Sequence, residues 1–402
     1  MTPPPWGGPG VWQRWAAATS TDDPVWASGD AHAPLDGDTS ADVVVVGAGP
    51  TGLWTAYYLL DADPALDVVV VDAAALPTGG RGVGACSAAL AVAPETLATR
   101  FGETAAWDVR AAMRDAVVEV GGVVAVEQIA CGFAFGGRVA VARVPAVLAT
   151  IVDRAAAGEQ WGEEAHVLDA DGLAEHVRVP GAIGGAWWPD CARLDPGRLA
   201  AGLVDVVVSR GGRVHGHTRA LRVSAGAVVT ERGTVRAPTV VDARDDPSPT
   251  RVRALATAPA GPAVWERAGM ARGQAVLVDD LHLVRTPDDR LVAAWAGPPG
   301  GLRSRASRGA LLRGPGPAQD AVLDVARVGA LPALAGAPVT HRWWRPLAEP
   351  GSLPRVGVDR GRAWARPGGN GPAAANVAGR TVAELVTGAS SALTRLPWVT
   401  RT

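Results

Sequence analysis

The chain of 402 residues contains no lysine, and all 38 of its basic residues are arginine. The absence of lysine excludes a Schiff-base nucleophile and the lysine of a phosphate-binding P-loop. Phenylalanine and tyrosine are scarce, with three and two residues, whereas tryptophan occurs 15 times. This bias is typical of translation from a genome rich in G and C, and it removes lysine chemistry from every mechanism considered for the chain.

Cysteine is also scarce, and the three cysteines lie far apart at Cys86, Cys131 and Cys191. They form no disulfide or metal-binding pattern, so we expect reduced, mostly buried thiols in a cytoplasmic protein. Five histidines also lack the spacing of metal ligands, so we predict no metal site. They are His166, His176, His215, His217 and His282.

Long apolar runs and a strong net charge are absent as well. No run reaches the roughly 18 residues of a spanning helix, and the N-terminus shows no secretory signal. The net charge of −2 gives no reason to expect nucleic acid or a membrane surface as a partner. A hydrophobic content of 48% and a charged content of 19% fit a soluble globular protein of about two or three domain-sized units.

The segment VVVVGAGPTG at 43–52 joins an apolar strand, a glycine turn of the form G-x-G-x-x-G and a helix start. Gly47 permits the tight turn, Gly49 lets the backbone approach a pyrophosphate, and Gly52 lets the helix pack close to the strand. The helix N-terminus then faces the phosphates. The next strand ends at Asp72, twenty residues after Gly52, where a carboxylate can accept hydrogen bonds from a ribose. The segment therefore predicts a dinucleotide site.

Two further glycine clusters lie at 78–90 and 364–385. The second precedes a predicted helix from about 372 to 387, and such a helix end offers free N–H groups to an anion or a polarised carbonyl. A flavin whose N1/C2=O2 edge met this end would have its anionic reduced form stabilised. A plain loop-to-helix turn is the alternative interpretation of this cluster.

The element pattern predicts an α/β fold with an α+β substrate part: a Rossmann-like domain with a parallel sheet, into which a mostly antiparallel substrate-binding sheet is inserted. We expect an N-terminal arm at 1–40, with Trp12 and Trp15 docking on the main body. The nucleotide-binding domain is predicted to be discontinuous, over 41–120, 145–175, 191–250 and 345–402. The substrate domain is predicted over 121–144, 176–190 and 251–344, with a loop at 297–320 and a helix over 94–118.

The chain resembles the FAD-dependent oxidoreductases of the D-amino-acid-oxidase type, which include glycine and sarcosine oxidases. Within this family it most resembles the branch around gamma-glutamylputrescine oxidoreductase. The matching segments follow one another along the whole chain, and a joint match in order is more specific than any one motif. They are VVVVGAGPTGLWTAYYLLDADPALDVVVVDA (43–73), GRGVGACSAAL (80–90), GFAFGGRVAVAR (132–143), CARLDPGRLAAGL (191–203), GNGPAAANVAGRTVAELVTG (369–388) and LTRLPWV (393–399).

The resemblance implies bound FAD and the oxidation of a C–N bond in an amine or amino acid, with hydride transfer to flavin N5 and hydrolysis of the imine. The partners would be this substrate and O2 or another electron acceptor. No cysteine follows Cys191 and no histidine lies near 72–90, so FAD is expected to be non-covalent. By position, the pyrophosphate would be held by Gly47, Gly49, Pro50, Thr51 and Gly52. Asp72 would hold the ribose, and the flavin would lie along Gly80, Arg81, Gly82, Gly84, Gly369, Asn370 and Gly371.

The chain departs from the family pattern near the expected flavin ring. The family segment G-R-N-G-G reads G-R-G-V-G at 80–84, and the C-terminal turn ARPGGNGP lacks the usual aromatic and acidic residues. Because no lysine can activate oxygen, a dehydrogenase or a slow oxidase is favoured. The alternative is a divergent, non-catalytic or weakly FAD-binding member that acts as a binding or scaffold protein. A flavin hydroxylase or NAD enzyme is less favoured.

No catalytic signature stands out, and three residues are weak candidates: His341, Arg285 and Trp344. His341 is a possible base in the segment HRWW (341–344), which we expect near the flavin face. Arg285 could pair with a substrate carboxylate in two hydrogen bonds, as could Arg138. A substrate pocket could be walled by Trp187, Trp188 and Trp295. A structural role is the competing interpretation for each of these residues.

Overall fold

A computed structural model describes residues 25, 32–78, 81–90, 92–244, 251–295, 317–346, 352–368 and 371–400. Nine α-helices lie within these ranges, and their bounds are α1 Pro50–Ala62, α2 Pro94–Phe101, α3 Glu103–Val126, α4 Pro145–Glu159, α5 Ala170–His176, α6 Pro196–Ser209, α7 Pro262–Ala268, α8 Pro317–Ala330 and α9 Gly371–Thr387. Trp12 and Trp15 of the predicted arm, and the loop predicted at 297–320 up to residue 316, lie outside the described residues.

The first large sheet has seven strands, which lie in the order β10-β3-β2-β14-β21-β20-β22. All neighbouring pairs are parallel except β20 with β21. The strands are β2 Val43–Val46, β3 Val68–Val71, β10 Arg213–His215, β14 Thr239–Asp242, β20 Arg355–Asp359, β21 Arg362–Arg366 and β22 Val399–Thr400. β2 and β3 each consist of four valines that are all buried, as expected for parallel strands covered on both faces.

Helices cover one face of this sheet, and a smaller sheet covers the other. Val43 and Val45 pack in the core formed by α1, α3, α6 and α9, whereas Val44 and Val46 pack in a second core. The second core is closed by a four-stranded sheet in the order β1-β13-β12-β11. Its strands are β1 Thr39–Ser40, β11 Ala220–Ser224, β12 Ala227–Thr230 and β13 Gly233–Arg236. The nucleotide-binding half is therefore three layers thick.

The second large sheet has eight strands in the order β19-β15-β18-β17-β16-β6-β8-β7. Every neighbouring pair is antiparallel except β16 with β6. The strands are β6 Arg138–Ala142, β7 His166–Leu168, β8 Gly184–Trp188, β15 Arg251–Thr257, β16 Ala275–Val278, β17 Leu281–Arg285, β18 Leu291–Trp295 and β19 Val339–Pro346. The predicted fold class, a parallel sheet joined to a mostly antiparallel one, is confirmed.

A three-stranded sheet, β4-β9-β5, lies between the two halves. Its strands are β4 Ala85–Ser87, β5 Ala134–Phe135 and β9 Cys191–Arg193. β4 contacts α9 of the nucleotide-binding half, and β9 contacts β16 of the eight-stranded sheet. β4, which lies within the glycine cluster at 78–90, thus connects the two halves through its pairing with β9.

The structure differs from the expected elements in two places. The helix expected over 94–118 is two helices, because the chain breaks at Gly102, whose φ is +90°, and the second helix continues to Val126. β7 is an edge strand of the eight-stranded sheet, although the expected division grouped 145–175 with the nucleotide-binding segments. Among the described residues, no helix is long and apolar enough to cross a membrane.

Candidate functional site

The glycine turn between β2 and α1 is shaped by two close backbone approaches. Gly47 has a φ of +106°, and a Cβ there would lie 3.1 Å from the carbonyl carbon and oxygen of Ala243, at the end of β14. A Cβ on Gly52 would overlap the carbonyl oxygen of Gly47. Both positions therefore require glycine for the fold itself, before any ligand is considered.

Gly49 has a different role, because the protein leaves the space beside it open. A Cβ on Gly49 would meet no heavy atom within 4 Å. Gly49 is also the N-cap of α1, and no side chain caps this helix end. The N–H groups of the first helical turn have no intrahelical acceptors, so this end of α1 favours an anion. The open space, the uncapped helix end and the bare backbone together leave room for an anionic group, as the predicted pyrophosphate contact requires.

The carboxylate of Asp72 lies at the end of β3, beside this turn. One oxygen, Oδ2, accepts a hydrogen bond from the backbone N–H of Ala48 at 2.7 Å, and Oδ1 accepts one from the N–H of Ala74 at 2.8 Å. Each oxygen keeps a second lone pair for a further donor. The predicted ribose contact is therefore compatible with a second role, in which Asp72 fixes the glycine turn.

A charged cluster that the sequence analysis missed lies next to the same turn. Asp242 ends β14 with 2% of its surface exposed, and Arg244 binds it through Nε–Oδ1 (2.9 Å) and Nη2–Oδ2 (2.8 Å). Arg366 lies 3.3 Å away, from Nη2 to Oδ1. Burial alone would raise the pKa of Asp242, but hydrogen bonds and charges from both arginines outweigh it and lower the pKa. An acid at the end of a buried strand, followed two residues later by arginine, was the available sequence signal.

The start of α9 approaches the flavin segment that the sequence analysis proposed. Gly371 has a φ of +78°, and a Cβ there would lie 3.4 Å from the carbonyl oxygen of Ala85 in β4. Asn376 does not line this end, because its Nδ2 donates to the hydroxyl of Tyr58 at 2.8 Å inside the helical core. The predicted cofactor residues Gly80, Gly369 and Asn370 lie outside the described residues.

Arg81 joins this segment directly to the eight-stranded sheet. Its Nη1 donates to the backbone oxygen of Trp344 at 3.3 Å, and its own backbone oxygen accepts from Nε1 of Trp343 at 3.1 Å. Val83 packs against a cluster formed by Ala254, Ala256, Val292, Ala294 and Trp343. Gly84 has a φ of +85°, whereas a Cβ on Gly82 would make only an ordinary 3.6 Å contact with Pro196. The loop 81–84 therefore lies on one defined face of the eight-stranded sheet.

That face carries one of the three catalytic candidates. His341 pairs with Ala256 and Trp343 pairs with Ala254, so all four side chains lie on the face that meets Val83. Nδ1 of His341 lies 2.9 Å from Oγ1 of Thr340.

Trp344 lies on the opposite face, toward α8. There the guanidinium of Arg253 stacks 4.6 Å from its ring centroid, and Arg253 Nε donates to Asp320 at 2.6 Å. The alternation of the strand thus separates His341 from Trp344.

Arg285, the third candidate, has its donors engaged at the hairpin between β17 and β18. Nε and Nη2 donate to Oδ1 of Asp289 at 2.8 and 2.6 Å, and Nη1 donates to the oxygen of Met270 at 3.2 Å. Its guanidinium also stacks 4.5 Å from the ring centroid of Trp265. This arrangement supports a structural role rather than the binding of a substrate carboxylate.

Of the three tryptophans considered as pocket walls, Trp187 and Trp188 line cavities. Trp187 donates through Nε1 to the oxygen of Gly136 at 3.0 Å and lines one cavity, and Trp188 lines another with Arg138. Trp295 is 2% exposed within the core of the eight-stranded sheet. Among the described residues, no group of three or more His, Cys, Asp and Glu side chains could hold a metal ion.

Comparison with known proteins identifies a family for the chain. Residues 42–385 match a protein-family model described as "DAO: FAD dependent oxidoreductase". No curated protein matches the chain in sequence.

Solved structures match the fold over nearly the whole chain. Glycine oxidase from Geobacillus kaustophilus superposes with a TM-score of 0.70 at 20% identity, covering 90% of this chain and 99% of its own. L-Amino acid deaminase from Proteus myxofaciens superposes with a TM-score of 0.70 at 15% identity, covering 95% of this chain and 97% of its own. L-Proline dehydrogenase from P. horikoshii superposes with a TM-score of 0.66 at 16% identity, covering 90% of this chain and 96% of its own. At these identities the likeness concerns the fold alone.

Proposed function

The chain belongs to the DAO family of FAD-dependent oxidoreductases, and from this premise we propose that it oxidises a C–N bond of an amine or amino acid. The observation that carries the proposal is the position of the loop 81–84. The same loop connects to α9 through β4 and contacts the eight-stranded sheet through Arg81. A cofactor bound along this loop would therefore meet a substrate held on the face that carries His341 and Trp343.

The residues at the nucleotide end fit FAD. In this proposal the pyrophosphate lies at Gly49 and the start of α1, where the structure leaves space and uncapped N–H groups. Asp72 holds the ribose while keeping its hydrogen bond to Ala48. Arg244, half-exposed beside the turn, adds a positive charge close to the phosphates. Gly371 places the start of α9 toward the flavin ring, where a helix N-terminus stabilises negative charge.

Bound FAD supplies a two-electron acceptor for the hydride that leaves the carbon next to the amine nitrogen. The protein must deliver a neutral amine, orient that carbon and exclude water. His341 is positioned to accept the proton of the incoming ammonium group. Ala254, Ala256 and Ala294 are fully buried on the same face, where Val83 packs against them and keeps water out. As the hydride and a proton leave, the C–N bond becomes C=N, and water then converts the imine to a carbonyl compound and an amine or ammonia.

The finer assignment follows the resemblance in sequence to the branch around gamma-glutamylputrescine oxidoreductase. The ordered segments at 43–73, 132–143 and 369–388 support it. A chain without lysine has no lysine with which to activate oxygen, so we propose that an acceptor other than O2 takes the electrons more readily. The substrate class and the acceptor are thus two separate parts of this proposal.

The test is a spectrum followed by a substrate screen. The purified protein is expected to show a flavin absorption band, with FAD released by denaturation because it is non-covalently bound. Amines, polyamines and amino acids are then added anaerobically, and the true substrate class will bleach the band. Reoxidation by O2 is compared with reoxidation by an artificial dye. A flavin band that no compound with a C–N bond bleaches would contradict the proposed reaction, and faster reoxidation by O2 would contradict the proposed acceptor.

A further inference from the structure

A cavity lined by arginines lies far from His341, on the same face of the eight-stranded sheet. It is a small cavity of about 20 Å³ between β6, β8 and the helices α3 and α4. β6 is five strands from β19, which corresponds to roughly 24 Å at about 4.8 Å per strand. The charged residues that line it are Arg110, Arg114, Arg138, Arg154, Glu163 and Asp190.

The charges of this cavity do not balance, because four arginines face two carboxylates. Arg110 forms a buried ion pair with Glu163. Among the described residues, Arg114 donates one long hydrogen bond of 3.4 Å, to the oxygen of Trp161. Within the described ranges, the side chain of Arg154 has no hydrogen bond or ion pair to another side chain. The cavity therefore carries about two positive charges in excess.

Arg138 lines the cavity from the start of β6. Its guanidinium stacks 4.7 Å from the ring centroid of Trp188, and its Nε is buried without a hydrogen-bond partner among the described residues. Burial and then the charge of Arg154 lower the pKa of Arg138 to about 9, and burial with its arginine neighbours lowers the pKa of Arg110 to about 10. A buried donor without an acceptor, surrounded by like charges, costs stability that a bound anion would restore.

A larger cavity of about 360 Å³ opens beside the first and shares Arg114 and Asp190 with it. Its other walls are mostly apolar and include Val118, Phe135 and Trp187. Val118 and Phe135 are 63% and 59% exposed, so they offer apolar surface to a molecule in this cavity. The volume suits a small organic molecule, whereas the 20 Å³ cavity has room only for a compact head group.

We propose that the two cavities form one binding site for a small amphipathic anion. Its dianionic head, such as a phosphate monoester, lies among Arg114, Arg138 and Arg154, and its apolar body lies against Phe135 and Trp187. Two excess positive charges match a dianion, and arginine forks bind phosphate oxygens in pairs. The site is separate from the FAD cradle at Gly49, and it does not depend on the reaction proposed above.

Calorimetric titration of the FAD-loaded protein tests the site with three probes: phenyl phosphate, inorganic phosphate and benzyl alcohol. Phenyl phosphate is expected to bind about tenfold more tightly than inorganic phosphate, since it adds an apolar body, and benzyl alcohol is expected to bind weakest. Phenyl phosphate should also raise the unfolding temperature. Absence of binding by phenyl phosphate, or equal affinity for both phosphates, would overturn the proposal.

Three single substitutions test whether phenyl phosphate binds in the arginine cavity. Arg154→Gln removes an exposed side chain and should weaken the binding of phenyl phosphate about tenfold, without lowering the unfolding temperature of the unliganded protein, since it also removes a like charge next to Arg138. Arg222→Gln, in the exposed strand β11, is the matched control and should change nothing. Gly49→Val, which is expected to lose FAD, should still bind phenyl phosphate. If Arg222→Gln weakens binding as much as Arg154→Gln, or if Gly49→Val abolishes it, the arginine cavity is not the site.

Discussion

The carboxylate of Asp72 accepts a hydrogen bond from the backbone N–H of Ala48 at 2.7 Å, and this bond ties the end of β3 to the glycine turn after β2. Asp72 was expected from its spacing to contact the ribose, and it is also part of the glycine turn itself. A substitution at this position should affect both the shape of the turn and the ribose contact.

Asp72→Asn is expected to weaken FAD binding about tenfold and to lower the free energy of unfolding by about 1 kcal/mol. Asparagine has only one acceptor oxygen, so its amide nitrogen, itself a donor, would face the backbone N–H of either Ala48 or Ala74. FAD affinity by fluorescence titration and stability by denaturant unfolding measure the two effects. Asp63→Asn is the control, because Asp63 is exposed and accepts one backbone hydrogen bond, from Ala65 at 2.9 Å. Equal losses in both variants would show that Asp72 acts only as an ordinary turn acid.

Gly49 and Gly52 should respond oppositely to an added side chain. Gly49→Val meets open space in the protein, so it should fold normally and lose bound flavin, since the side chain would fill the pyrophosphate cradle. Gly52→Ala would overlap the carbonyl oxygen of Gly47, so it should lower the unfolding temperature even of the flavin-free protein. Flavin absorbance per protein and thermal unfolding separate the two results. Normal flavin content in Gly49→Val would remove the cofactor from this turn.

Asp242 should contribute to the acid sensitivity of the fold. Its pKa is lowered in the folded protein, so its stabilising effect is complete above the ordinary carboxyl value of about 3.9 and is lost as the pH falls below it, toward the folded pKa. Asp242→Asn should cost about 2 kcal/mol near neutral pH, because it leaves Arg244 and Arg366 without their carboxylate. The difference between variant and parent should shrink as the pH falls below about 3.9. Denaturant unfolding from neutral pH down to acid pH measures the difference in free energy of unfolding. A difference that does not change with pH would contradict a lowered pKa for Asp242.

His341 and Trp344 should differ in their effect on substrate oxidation. His341→Ala is expected to slow anaerobic flavin reduction by about 100-fold at neutral pH, with FAD content unchanged, because it removes the proposed proton acceptor. Trp344→Phe is the comparison on the same strand. The ring of Trp344 stacks against Arg253 on the opposite face, so the rate of flavin reduction should change little in this variant. Stopped-flow absorbance measures both rates. A normal rate in His341→Ala would assign the histidine a structural role.

The local elements around the cofactor turn could be predicted because their signals are contained in short segments. The valine runs at 43–46 and 68–71 and the glycines between them specify a βαβ unit through steric and burial requirements that hold in any such fold. The helix expected over 94–118 was drawn incorrectly, because Gly102 interrupts it and the second helix runs on through Gly121 and Gly122 to Val126. Helix propensity alone gave no indication that packing would hold two glycines in that helix.

The charged sites could not be predicted in the same way, because their members come from distant segments. Arg244 and Arg366 share Asp242 only because β14 and β21 are neighbours in the sheet. The arginine cavity assembles residues of α3, α4 and β6, and no single segment shows an unusual spacing.

The sequence by itself determined the family, the dinucleotide turn and the exclusion of lysine chemistry, because each depends on residue identity within a short stretch or on composition. Tertiary structure alone decided which side chains share a face or a cavity. It placed His341 with Val83 and Trp344 against Arg253, and it left Gly49 facing open space while Gly52 is closed in by backbone. The reason is that strand pairing and long-range packing set the distances between charges and rings, and these distances are not written in any local pattern.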